Sequence, residues 1–233
     1  MLKEAIILAG GLGTRLRSVV NVLPKCMAPV AEKPFLHYVL NHLEKEGIEN
    51  YILSVGYKSE DIINYINEYH TTLNVKYSIE DTPLGTGGAI KRACAKTNKK
   101  DILVVNGDTL YKANIKSLSE FHNLHEAECS LCLKPMKDFD RYGAVDISTD
   151  DSIRVFKEKE YVNEGLINGG IYALNVKHFL DKDPADIFSF EKDYLEKYVS
   201  EGKIFGMPQD EYFIDIGIPE DYSRAQTELS NII

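Results

Sequence analysis

No apolar run in the 233 residues approaches the roughly 18 that a membrane span needs, and the opening Ala5-Ile6-Ile7-Leu8-Ala9 stretch is too short for a signal-peptide core. Both absences point to a cytoplasmic protein. Cysteine is scarce: four residues without the spacing of a disulfide framework suit a reducing compartment. Cys129 and Cys132 form a C-x-x-C, but on a strand a separation of three turns the two sulfurs to opposite faces. That disfavours redox pairing or shared metal ligation and favours ordinary packing. Positive charge is in deficit, with 27 Lys and Arg against 36 Asp and Glu and a formal charge of −9. Non-specific attraction to nucleic acid or to an anionic membrane is therefore disfavoured, and an anionic ligand needs a local basic site. Internal repeats, low-complexity tracts and linkers are absent too. Without trailing hexapeptide repeats an attached β-helix acyltransferase domain is not expected. At this length and 44% hydrophobic content, one α/β domain over residues 1–233 is the expectation, with homo-oligomers left open.

Short Val- and Ile-rich runs alternate with longer amphipathic segments, which predicts a doubly wound α/β fold around a mostly parallel, mixed sheet of Rossmann-like type. The first strand covers about Glu4 to Ala9. Pro34, whose fixed φ suits a first helical turn, opens a helix that carries Phe35, Val39 and Leu43 and stops at Gly47. Strand Tyr51 to Val55 follows, then a helix capped by Ser59 and carrying Ile62, Ile63 and Ile66. Val75 to Ile79 returns as strand, Thr86 to about Lys96 as helix and Asp101 to Val105 as strand. The second half breaks this rhythm. Its strand candidates are Cys129 to Leu133, Gly143 to Ile147, Ile153 to Phe156, Gly170 to Leu174 and Ile204 to Met207, which suggest antiparallel insertions, before a last helix from Pro219 to about Leu229.

The basic site is visible near the start, where Lys3, Arg15, Arg17, Lys25 and Lys33 face only Glu4 and Glu32 within residues 1–33. Directly after the first strand stands Gly10-Gly11-Leu12-Gly13-Thr14-Arg15-Leu16, in which glycines let backbone N–H groups converge on an anion. Leu16 stands where a dinucleotide fingerprint wants Gly or Ala, and the Gly-Lys-Ser/Thr of a P-loop is missing. A ligand-free glycine turn stays open on the loop alone. Arg15 adds a fork suited to phosphate oxygens, and Pro24-Lys25 brings a second cation. Two aspartates sit beside apolar strands: Asp108 in Asn106-Gly107-Asp108, at the carboxyl end of a strand, and Asp215 in Phe213-Ile214-Asp215-Ile216-Gly217. Each reads either as a hydrogen-bonded turn or as a ligand for Mg²⁺ shared with substrate phosphates. His122 and His125, three apart in a helical stretch, read as a solvated face rather than a metal site.

Taken together, Leu8-Ala9-Gly10-Gly11-Leu12-Gly13-Thr14-Arg15-Leu16 and Pro24-Lys25 resemble the signature of the sugar-1-phosphate nucleotidyltransferases, and the likeness runs over nearly the whole chain. The resemblance implies that the loop, with Leu8, Gly10, Gly11, Gly13 and Thr14, wraps a nucleoside triphosphate. It implies further that Arg15 faces the leaving pyrophosphate and that Lys25 meets the phosphates near the reacting centre. Pro83-Leu84-Gly85-Thr86-Gly87-Gly88-Ala89, together with Gly56-Tyr57, matches the segments that line the nucleobase pocket, where glycines would let backbone approach a flat ligand. Asp108 and Asp215 match the aspartates that hold the metal. Arg141-Tyr142-Gly143, Glu158-Lys159 and Asn168-Gly169-Gly170 match the sugar side, where Glu158 would accept from hydroxyls, Lys159 would meet the sugar phosphate and Asn168 would do either. Two positions depart from the pattern, Cys26 and Glu160, each standing where proline is commoner.

Within the family, Pro83 to Ala89 and Asp215 to Pro219 most resemble the guanylyltransferases of heptose 1-phosphates, which implies GTP as donor. Glu80 fits that donor chemically, because a carboxylate offers only acceptors and guanine offers two adjacent donors, N1–H and its exocyclic amine. The other reading of Glu80 is a solvated strand end. Two further functions stay open: uridylyl or thymidylyl transfer to a hexose or amino-sugar 1-phosphate, and a non-catalytic nucleotide-sugar sensor, against which the retention of Arg15, Lys25, Asp108 and Asp215 weighs.

Overall fold

The computed structural model describes residues 1–11 and 23–230. Strand β1 (Glu4–Leu8) is buried on both faces, as a continuous apolar run at the centre of a parallel sheet must be. Two short strands, β2 (Pro29–Val30) and β3 (Lys33–Pro34), then form a ribbon ahead of helix α1 (Phe35–Lys45), with Gly47 in the left-handed region beyond its end. β4 (Asn50–Val55), α2 (Ser59–Tyr69), β5 (Asn74–Ile79), α3 (Gly85–Cys94) and β6 (Asp101–Asn106) complete the regular part. Ser59 does not cap α2. Lys58, itself left-handed at φ 52°, precedes the helix without a side-chain cap, and Ser59 is the first helical residue. Glu60 and Asp61 place negative charge in the first turn, where the helix dipole favours it.

The second half holds β7 (Thr109–Tyr111), α4 (Ile115–Leu124), β8 (Cys129–Phe139), β9 (Gly143–Ile147), β10 (Ile153–Lys159), β11 (Val162–Asn175), α5 (Val176–Asp181), a π-helical segment (Phe190–Glu196), β12 (Ile204–Pro208), β13 (Phe213–Asp215) and α6 (Pro219–Ser230). Among the described residues nine strands form the central sheet, ordered β10-β9-β11-β6-β1-β4-β5, with β8 branching from β11 and β12 pairing with β8. The pairings β6-β1-β4-β5 are parallel, whereas β11 runs antiparallel to β6, β8 and β9. β7 and β13 pair outside this sheet as a small antiparallel ribbon.

Two apolar clusters cover opposite faces of the sheet. Cys132 belongs to one and Cys129 to the other, as a separation of three on a strand requires. All four cysteines are free and buried. His122 corrects the expectation of a solvated helix face: it is buried, its Nδ1 lies 2.9 Å from Ser130 Oγ, and its Nε2 lies 3.5 Å from Asp101 Oδ1. The polar hydroxyl and carboxylate behind α4 draw the imidazole inward. No helix among the described residues is long and apolar enough to cross a membrane.

Candidate active site

β1 lies between β4 and β6, so the chain winds one way from β1 to β4 and β5 and the other way to β6. Such a reversal leaves a crevice at the carboxyl ends of the strands, where ligands of open α/β sheets bind. A cavity of about 450 Å³ opens there. Of the residues expected to bind nucleotide, Leu8, Gly10, Gly11, Glu80, Pro83, Gly85 and Thr86 line it, and so does Asp108. Ala89, the last residue of the expected Pro83 to Ala89 segment, lines it too; Ser54 and Asn106 line it as well and were not foreseen as binding residues, although they end or nearly end strands whose neighbours were singled out. Gly13, Thr14 and Arg15 lie outside the described residues.

Glu80 is not a loose strand end. Ser54 Oγ donates to its Oε1 at 3.0 Å, the Leu84 N–H donates to its Oε2 at 3.2 Å, and its own N–H reaches Val55 O at 2.8 Å. Each carboxylate oxygen uses one lone pair on the protein and retains another. Gly10 eases this arrangement, since a Cβ on it would stand 3.3 Å from both Glu80 Oε1 and Gly56 N, whereas Gly56 packs against Gly10 O and Glu80 with ordinary contact room for a Cβ. Gly56 thus supports the first loop rather than lining the cavity. Tyr57 is 39% exposed, with the Lys58 ammonium over its ring. Gly11 differs from both: it is exposed, and a Cβ there would meet nothing within 4 Å among the described residues.

The glycines of Gly85-Thr86-Gly87-Gly88 also meet another part of the chain. Added Cβ atoms would overlap Phe188 O at Gly85, the Phe188 ring at Gly87 and Asp186 O at Gly88. Gly85 is also left-handed at φ 73°. These residues let α3 press against the segment before the π-helical turn, sealed by Gly87 N to Phe188 O at 3.0 Å and Phe188 N to Leu84 O at 3.0 Å. The Thr86 hydroxyl turns the same way, donating to Glu191 Oε2 at 2.7 Å and accepting from Phe190 N at 2.9 Å. The glycines thus admit a close approach of the protein's own chain, while Gly85 and Thr86 also line the cavity.

Beside the cavity, three charges meet from three distant segments. Lys25 opens a 3-10 turn, Lys25–Met27, that Met27 N closes on Pro24 O at 2.8 Å. Its ammonium donates to Asp108 Oδ2 and lies 3.5 Å from Asp215 Oδ1. The β7–β13 ribbon sets the two acids together, pairing Asp215 with Thr109, and Ile216 N donates to Asp108 O at 3.1 Å. Gly217 N–H donates to Asp215 Oδ1 at 2.7 Å. Burial, with the facing Asp108 carboxylate behind it, pushes the Asp215 carboxyl above the usual aspartate value, while Lys25 pulls it back. Cys26 sits buried underneath, and burial with Asp108 nearby lifts its thiol to about 12, so it packs without reacting. Among the described residues no cluster of three or more His, Cys, Asp and Glu ligands forms. Two carboxylates at the mouth of a cavity are a donor set for a hard cation that also takes phosphate oxygens, as Mg²⁺ does, and not for a closed tetrahedral site.

The sugar-side residues fall outside the cavity lining. Gly143 begins β9 opposite Lys159 of β10, and a Cβ there would overlap Lys157 O, so it shapes the hairpin that carries Glu158 and Lys159 to an exposed end. Asn168 precedes a register shift in β11: its Nδ2 donates to Tyr172 OH at 2.9 Å and its Oδ1 accepts from Gly170 N at 3.0 Å. Arg141, a neighbour of Gly143, bonds the buried Asp221 at 2.8 Å and ties this region to α6.

Comparison with known proteins places the chain in a family. The chain is 51% identical over 230 residues to D-glycero-alpha-D-manno-heptose 1-phosphate guanylyltransferase of Aneurinibacillus thermoaerophilus, covering 99% of this chain and 100% of that one. It is 46% identical to the enzyme of the same name from Campylobacter jejuni, covering 94% and 96%. The crystal structure of HddC from Yersinia pseudotuberculosis complexed with GMP-PN superposes with a TM-score of 0.89 at 39% identity, over 98% of this chain and 100% of that one. The family model for nucleotidyl transferases matches residues 4–232. By that match over nearly its whole length and by these relatives, the chain belongs to the nucleotidyl transferase family.

Proposed function

We propose that this protein transfers a guanylyl group from GTP to D-glycero-α-D-manno-heptose 1-phosphate, releasing pyrophosphate and forming the GDP-sugar. The relatives that match over their full length carry that activity in their names. The observation that carries the base assignment is Glu80, whose two anchored oxygens each keep a lone pair at the cavity wall. Guanine N1–H and its amine match that pair, whereas uracil and thymine would set a carbonyl against one oxygen.

In the reaction, an oxygen of the sugar phosphate attacks the α-phosphorus in line, a new P–O bond forms, and the bond to the β-phosphate oxygen breaks as pyrophosphate leaves. The nucleophile is already anionic, so no general base is required. What the protein supplies is position and charge. The loop at Gly10 and Gly11 offers backbone donors to the triphosphate, Lys25 neutralises phosphate oxygens at the reacting centre, and Arg15 has the pyrophosphate side by the family resemblance. Asp108 and Asp215 would hold Mg²⁺, which when bound adds charge neutralisation across the phosphates. On the sugar side, Gly143, Glu158, Lys159 and Asn168 retain the roles the resemblance implies.

The test is pyrophosphate release with GTP, UTP and dTTP against a panel of sugar 1-phosphates, in wild type and Glu80→Gln. GTP with the heptose 1-phosphate should be preferred. The variant should lose roughly 10- to 100-fold in kcat/KM with GTP, the size of a charge-assisted hydrogen bond of about 1.5–3 kcal/mol, and far less with UTP. Equal relative losses, or a wild-type preference for UTP or dTTP, would refute the guanine assignment.

A further inference from the structure

The acid pair is already engaged with a cation of the protein's own. The Lys25 ammonium donates to Asp108 Oδ2, lies 3.5 Å from Asp215 Oδ1, and its side chain is only 10% exposed. Its place is built into the fold. The turn Lys25–Met27 fixes the backbone, with Ala28 N bonded to Lys25 O at 3.1 Å. Gly217 leaves room on the far side, since a Cβ there would stand 3.0 Å from the ammonium and 2.9 Å from Asp215 Oδ1.

A magnesium ion needs carboxylate oxygens at about 2.0–2.1 Å. Bound to the oxygen that Lys25 holds, it would stand within about 4 Å of the ammonium in a partly buried site where screening is weak. The two cations compete. Metal alone must expel Lys25 and brings nothing to receive it, whereas metal carried on a triphosphate brings anionic oxygens to which the ammonium can move. We propose that Lys25 is a resident counter-ion of the Asp108–Asp215 pair, displaced by the metal–nucleotide complex and delivered to the phosphates by the same event. This rests on the reading of the two aspartates as metal ligands.

Apparent affinity for free metal is lowered by the fraction of molecules in which Lys25 has let go, so removing the lysine removes that penalty. The probe is Mn²⁺ without nucleotide, with free ion followed by electron paramagnetic resonance and fold by circular dichroism. Lys25→Met and Lys25→Gln should bind Mn²⁺ at least about 10-fold more tightly than wild type. Lys25→Arg, still cationic, should stay near wild type, and adding Asp108→Asn should erase the gain. The uncharged variants should also melt lower without metal, with Mn²⁺ restoring them. Folded Lys25→Gln that binds Mn²⁺ no more tightly than wild type overturns the counter-ion role, and it stands as the test if Lys25→Met does not fold. Titration with GTP present separates the two readings. With bound Mn²⁺ counted above a protein-free GTP blank, extra binding that requires Asp108 leaves the metal site standing when the lysine variants show no gain, whereas extra binding undiminished in Asp108→Asn removes both.

Discussion

At the scale of single residues, the site is a problem of placing like charges. Asp108 and Asp215 face each other, and the buried Asp215 carboxyl is pushed upward by desolvation and by its neighbour. One lysine holds the pair together. Replacing either acid by asparagine leaves Lys25 with one carboxylate and an isosteric amide, so the local fold should survive. A divalent ion would lose half of its protein-borne negative charge. Asp108→Asn and Asp215→Asn are therefore expected to keep a wild-type circular dichroism spectrum while pyrophosphate release falls by roughly 10²-fold or more, the usual cost of losing one such electrostatic partner. A folded variant within a factor of about three of wild type would strike that carboxylate from the essential set.

At the scale of elements, α3 shows how glycines beside a cavity can also admit a second neighbour that the sequence does not name. Its Gly85, Gly87 and Gly88 meet the backbone and ring of the segment ending at Phe188, which the following π-helical turn holds through the Thr86–Glu191 bond. Alanine in a helix interior ordinarily gains about 0.8–1.0 kcal/mol over glycine. At Gly88 the new methyl would overlap Asp186 O and stand 2.9 Å from Leu84 Cβ, and a backbone carbonyl yields less readily than a side chain. Overpacking, costing about 1–3 kcal/mol, should win. Gly88→Ala is expected to lower the urea midpoint accordingly. A midpoint equal to or above wild type would show that the 184–190 segment moves aside freely.

At the scale of the whole molecule, the cavity joins the ends of four parallel strands, and its neighbours come from far apart in the chain: Lys25 and Asp215 are 190 positions apart, Thr86 and Glu191 105. A ligand there binds only the assembled fold and must stabilise it. GTP at about 100 times its dissociation constant adds about 2.7 kcal/mol, which for a protein of this size raises the melting temperature by about 5–11 °C. UTP at the same concentration should do much less, measured by thermal melting with metal present. Equal shifts from the two nucleotides would remove Glu80 as the reader of the base.

The sequence by itself determined the parts that depend on local pattern. The apolar run Ile6-Ile7-Leu8 located a central strand, and hydrophobic spacing located α1, α6 and β9 to within a residue or two. Chemistry at strand ends picked out Glu80, Asp108 and Asp215. Only the tertiary structure decided what each of these faces. β7 and β13 are three residues each, too short to carry a period, and exist because they pair with each other. His122 shares its spacing with a solvated face but is buried against Ser130, a partner on the next strand that no helical pattern reveals. Ser54 had no signal of its own, since a serine inside an apolar strand looks like any other until Glu80 is folded beside it. Periodicity records which side of an element is covered; it does not record by what, because the covering group comes from elsewhere in the chain.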